Sequence, residues 1–160
     1  MSEKLITFTN SKLVMARSML RMQEKEAGAD KEAARQAFLF HLYGTVNGLL
    51  GEILEASLIP TGKPVTLPEA EIILSEQNIL SGGVQQIKSL AEHGWLSTVF
   101  YDFQRSQEDI EPDSIEGVAV ERLIASSAHS TSVGCRGREE EVLNAMTELV
   151  QDIRGQLQEW

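Results

Sequence analysis

Three glycines, Gly44, Gly48 and Gly51, interrupt the most apolar stretch of this 160-residue chain, the run Phe38 to Ile59, and that pairing constrains the fold more than any other feature. At about 100° per residue, Leu42, Val46, Leu49, Ile53 and Ala56 share one side of a helix, while His41, Gly44, Gly48, Gly51, Glu52 and Glu55 share another. Each glycine costs roughly 0.5–1 kcal/mol against alanine inside a helix. A helix that bears this three times is expected to use the bare side as a notch, admitting a neighbour at short range. The neighbour can be another helix of the same chain, a second copy in a homodimer, or a small ligand flanked by His41, Asn47, Glu52 and Glu55. Those residues are the candidate ligand-binding or interface set.

The rest of the chain reads as helical. Alanine, leucine, glutamate and glutamine are plentiful and aromatics amount to 6%, a balance that favours helix over sheet. Leu5, Phe8, Lys12, Met15, Met19 and Met22 run at heptad spacing, widened by Leu13, Ala16 and Leu20, and predict an amphipathic first helix from Lys4 to Glu26. Asp30 is the expected N-cap of the second. Thr66-Leu67-Pro68-Glu69 is a capping box with proline in the first turn, opening a third helix with a kink at Ser81-Gly82-Gly83. A short helix over 84–92 and an aromatic-rich one around Trp95 to Phe103 follow. From Ser106 to Gly137 no helical period persists, which predicts a long crossover. Val142, Met146, Leu149, Ile153, Leu157 and Trp160 then mark a final helix over 138–160. The expected architecture is all-α: one domain over residues 1–160, an antiparallel bundle of four to five helices with a kinked third helix and a long crossover before the last.

Charge narrows the partners. Up to His41 the chain holds seven Lys/Arg against five Asp/Glu; of totals of 14 and 24, seven against nineteen remain for the rest, and the net charge is -10. Nucleic-acid binding is driven by basic residues that release counterions, so no nucleic-acid partner is expected. With one cysteine, Cys135, there is no internal disulfide and no cysteine-based zinc site. The N-terminus lacks a leader-like apolar core and no window of about 18 uniformly apolar residues stands out. A cytoplasmic protein with no membrane partner is the expectation.

No catalytic constellation presents itself. Helical di-iron sites need Glu-x-x-His pairs, and none occurs; His41 with Glu52 or Glu55 supplies part of a metal site at most, so no metal and no cofactor are expected. Ser126, Ser127, Ser130 and Ser132 surround His129 without a third group to orient a base. Neither a Gly-x-Ser-x-Gly elbow nor a phosphate-binding glycine loop is present. Arg35 and His41, in RQAFLFH, resemble the Arg-x(4–6)-His spacing of the higher eukaryote and prokaryote nucleotide-binding helical bundles, some of which cleave RNA, where the resemblance implies a composite site across a dimer. Six residues apart, the two stand about 120° from each other on a helix.

A second resemblance covers most of the chain. Phe8-Thr9-Asn10-Ser11-Lys12-Leu13 with Ala16-Arg17, Phe40-His41-Leu42-Tyr43-Gly44, Gly94-Trp95-Leu96 and the ending Arg154-Gly155-Gln156-Leu157-Gln158-Glu159-Trp160 resemble a family of short uncharacterised gammaproteobacterial proteins, a domain of unknown function. It implies a small helical protein and assigns no residue a role. The functional expectation is a non-enzymatic interaction or assembly module that self-associates, with an unidentified protein as another partner. The alternative is a ligand-binding, metal-binding or nuclease-like bundle that uses His41 and the Glu52/Glu55 face.

Overall fold

A computed structural model describes residues 2–108 and 134–159; the crossover expected between Ser106 and Gly137 therefore lies largely outside the described residues, as does Trp160. The protein is all-α, with six helices and no strand among the described residues: α1 (Glu3–Lys25), α2 (Gly28–Ala56), α3 (Leu67–Glu76), α4 (Gly82–His93), α5 (Leu96–Gln107) and α6 (Glu139–Gln158).

α2 is the centre. Leu39, Leu42, Val46, Leu49, Leu50, Ile53 and Leu54 are all buried, and they point in several directions around the helix, the signature of a helix enclosed by neighbours on most sides. By length and composition alone α2 passes as a membrane span, yet 67% of its most apolar 18-residue window is covered by the protein itself.

The turn between α1 and α2 is tight. Ala27, not Asp30, is the N-cap of α2, and Gly28 takes a left-handed φ of 58°, a conformation that glycine adopts without steric cost. Hydrogen bonds between the start of α1 and the end of α2, such as Thr9 with Glu52, make the pair an antiparallel hairpin. α6 runs antiparallel to α1: Gln23 meets Glu139 at one end and Asn10 meets Arg154 at the other.

The buried side of α1 differs from the expected one. It consists of Leu5, Thr9, Leu13, Ala16, Leu20 and Gln23, whereas Met15 and Met22 of the expected stripe are 45% and 46% exposed. Each of the two polar residues finds a hydrogen-bonding partner there, which offsets the cost of burial: the Thr9 hydroxyl on Glu52 and the Gln23 amide N–H on Glu139, although the Gln23 side-chain oxygen has no partner among the described residues.

The capping box of α3 forms as expected: the Thr66 side chain accepts from the Glu69 N–H, and a Glu69 carboxylate oxygen accepts from the Thr66 N–H at 2.8 Å. The expected kink at Ser81–Gly83 is instead a complete break that begins earlier. Asn78 turns left-handed (φ 55°) and the Ile79 N–H reaches back to the Leu74 carbonyl, the six-to-one bond of a Schellman stop. Ser81 then caps α4 by accepting from the Val84 N–H. This break accounts for six helices where four to five were expected. α5 packs its aromatic side on α2, with Tyr43 stacked on Phe103 at 4.2 Å between ring centroids and meeting Phe100 edge-on at 5.5 Å.

Candidate functional site

The bare side of α2 is occupied by this chain's own α1. A Cβ added at Gly44 would sit 3.1 Å from the Lys12 stem. One at Gly48 would be 2.5 Å from the Thr9 hydroxyl and 2.9 Å from the Phe8 ring, and one at Gly51 would be 2.9 Å from the Lys63 carbonyl oxygen and 3.2 Å from Leu5. Real Cβ atoms do not approach that closely, so Gly48 admits the Thr9 and Phe8 side chains of α1, and Gly51 the Lys63 backbone of the loop after α2, at a separation a side chain forbids. Close packing within the chain is what fills the notch.

Glu52 and Glu55 sit on the same side and are both engaged. Glu52 is fully buried. Arg154 clamps it with Nε on one carboxylate oxygen and Nη2 on the other, each at 2.9 Å, the bidentate geometry that suits a guanidinium. Thr9 lies between the Leu5 carbonyl at 3.0 Å and a Glu52 oxygen at 2.5 Å. Its single hydroxyl proton goes to the charged and nearer acceptor. Arg154 extends the network through Nη1 to the Asn10 side-chain oxygen at 2.8 Å. Glu55 accepts from the backbone N–H groups of Ser2 and Gly62, at 2.9 and 3.0 Å, and so fastens the residue before α1 and the loop after α2 to the same helix end.

His41 stands apart from both carboxylates. Its ring meets Phe40 edge-on at 5.4 Å, and its Nδ1 is buried without a hydrogen-bonding partner among the described residues. Burial, and secondarily the positive charge of Lys12, push its pKa below the ordinary value, which holds the imidazole neutral near pH 7. The Lys12 ammonium lies 4.8 Å from the Phe40 ring centroid and 5.4 Å from that of Phe8, within cation–π range. Arg35 does not join His41. It pairs with Glu32 at 3.2 Å and approaches Asp102 at 3.5 Å.

That second contact belongs to a polar cluster on the opposite flank. Asp102 of α5 is buried, and one of its oxygens accepts from both the Cys135 backbone N–H at 2.8 Å and the Cys135 thiol at 3.2 Å. Burial and then the Asp102 carboxylate push the thiol pKa up to about 12, so the sulfur is a protonated donor and a poor nucleophile. Arg136 continues the cluster to Glu32 at 3.3 Å. Among the described residues, no group of three His, Cys, Asp or Glu is placed to hold a metal ion.

Sequence reasoning singled out Glu52 and Glu55 but missed Thr9, Arg154 and Asp102. Arg154 carried a signal: it is the lone basic residue in α6, next to the buried Ile153. Asp102 carried none, being one acid in an otherwise ordinary amphipathic segment.

No curated protein and no solved structure matches the chain. A family model matches residues 1–160, the whole length, in agreement with the resemblance drawn from the sequence strings. The chain belongs to DUF6586, a family of unknown function.

Proposed function

We propose that this protein is a non-enzymatic assembly module that associates with further copies of itself. The observation that carries the reading is how the polar groups are used. Glu52 is paired with Arg154 and accepts from the Thr9 hydroxyl, Glu55 is spent on two backbone amides, and Asp102 holds Cys135 and Arg35. These groups hold helices together, whereas a catalytic site leaves an acid, a base or a nucleophile turned toward an open space. The space that is open lies elsewhere. One groove of about 490 Å³ runs between Trp95 and Val142, with His93, Thr98 and Glu141 on its walls; the Thr98 hydroxyl donates to the Trp95 carbonyl and His93 faces Glu92, so no nucleophile is paired with a base there among the described residues. At the same time large apolar side chains are about half exposed, Met15, Met22 and Phe40 among them, and a contiguous exposed apolar patch is a mark of an interaction surface.

Light scattering from micromolar to near-millimolar protein tests this. The expected result is a mass that rises toward twice the 17.7 kDa of one chain; a constant 17.7 kDa refutes self-association. Native mass spectrometry tests the non-enzymatic half. A stoichiometric metal or small molecule retained by the wild type and lost in His41→Asn would transfer the assignment to a ligand-binding bundle.

A further inference from the structure

We infer that the second copy docks on the outer face of the α1–α2 hairpin, an inference that rests on the self-association proposed above. The methionines expected to be core form this face. Phe8, Met15, Met19 and Met22 follow one line along α1, and Phe40 and Ala33 follow the adjoining line along α2. Two contacts show that the lines are joined. Lys12 bridges the Phe8 and Phe40 rings at one end, and Met19, Met22, Ala33 and Ala34 line, together with the acidic Glu26 and Asp30, one shallow groove of about 310 Å³ at the other. Phe40, at the Lys12 end of this surface, is 53% exposed. Methionine is suited to such a role, since its flexible, polarisable side chain adapts to an opposing surface.

Charge and size select a second copy as the occupant. The charged residues of the stripe stand at its ends, Lys12 between the two rings at one and Glu26 and Asp30 at the other; between them the exposed residues that border it, Ser11, Ser18 and Gln36, carry no charge, and depletion of charge is the compositional mark of an interface core. Two molecules of net charge -10 repel each other on approach. The repulsion is smallest here, because the chain through His41 carries seven basic residues against five acidic ones while the remainder carries seven against nineteen. The exposed side of α6, with Glu140, Glu141, Glu148, Asp152 and Glu159, is the least suited to self-contact. As for size, the 23 residues of α1 span about 34 Å at 1.5 Å per residue. Two helices side by side then offer roughly 700 Å² per copy, close to the ~800 Å² per partner of a stable interface.

Sedimentation velocity over a concentration series, on the wild type and on Met15→Glu/Phe40→Glu, tests the assignment. Both side chains are about half exposed, so circular dichroism of the variant should match the wild type while its dimer dissociation constant rises by roughly 30-fold or more. Glu148→Gln on α6 should leave the dimer intact. A wild-type dimer that survives the paired substitution overturns the assignment of the face and leaves self-association standing; a wild type that stays monomeric throughout removes both. Should the paired variant fail to fold, peroxide oxidation of the wild type decides. Met15 and Met22 should oxidise several-fold more slowly above the dissociation constant than below it, against Met146, which is fully buried, as the internal reference. Equal rates in a sample shown to be dimeric overturn the assignment.

Discussion

Glu52 and Asp102 are both buried carboxylates, both on helices and both faced by an arginine, yet they are satisfied in different ways. Glu52 receives a two-pronged guanidinium at 2.9 Å on each prong, with a threonine hydroxyl added. Asp102 has its arginine only at 3.5 Å and relies on a backbone N–H and a thiol of the segment entering α6. The first is an ion pair that welds three helices, α1, α2 and α6. The second is closer to a backbone cap, an acid that stabilises a chain turn and borrows charge from a distant cation. Breaking a buried ion pair strands a charge, whereas breaking a cap strands an amide, and the two losses differ in size.

Substitution at each site measures that difference. Arg154→Ala should have the largest effect, about 3–5 kcal/mol in urea unfolding, because Glu52 is left in the core without its partner. Replacing both partners with leucine should recover most of the loss. Asp102→Ala should cost less, about 1–3 kcal/mol, the penalty for an unsatisfied buried amide, since Arg35 keeps Glu32. A larger loss at Asp102 than at Arg154 would invert the comparison.

The glycines beside Glu52 sharpen it further. Gly48→Ala should destabilise by about 1–3 kcal/mol, since the methyl meets the Phe8 ring and the Thr9 hydroxyl, which its hydrogen bond to Glu52 holds in place. Gly44→Ala meets only the flexible Lys12 stem, and should be neutral or stabilising by up to about 1 kcal/mol through helix propensity. Thermal unfolding of the two variants side by side distinguishes a tight helix crossing from a dispensable glycine.

Acid titration gives the smallest effect. Burial raises the Glu32 pKa, but the hydrogen bond and charge of Arg35, joined by Gln36 and Arg136, overcome that and hold it below the ordinary carboxylate value. A carboxylate depressed in the folded state contributes stability above its unfolded pKa, and that contribution disappears as pH falls through the folded one. Unfolding measured over a descending pH series should therefore show a shallower decline in Glu32→Gln than in the wild type.

Much of the helix plan was legible because its signals are local. The Thr66–Glu69 box needs only four consecutive residues, and the core positions of α6 repeat every three or four. The inward side of α1 was not legible in the same way. Thr9 is buried because of Glu52, 43 residues on, and Gln23 because of Glu139, 116 residues on. Hydrophobicity ranks a methionine above either of them, and a partner so remote leaves no trace in the local period. The stop at Asn78 was missed for another reason: the apolar run through Ile79 and Leu80 hides a left-handed residue. Of the candidate site, the bare side of α2 was legible as a place of close approach, since glycine in a helix is costly wherever nothing requires it. Which neighbour fills it depended on Leu5, Phe8 and Thr9 sharing one register of α1.

Cys135, the chain's one cysteine, is fully covered and its proton is held to a pKa of about 12. In the native state the sulfur should be silent to alkylating reagents, becoming reactive when the junction between α5 and the start of α6 comes apart. The native sequence thus contains its own stopwatch for that event. The rate of thiol labelling, followed against denaturant, gives the free energy of opening at this seam, and whether it equals that of global unfolding tells whether the last helix detaches alone or together with the rest.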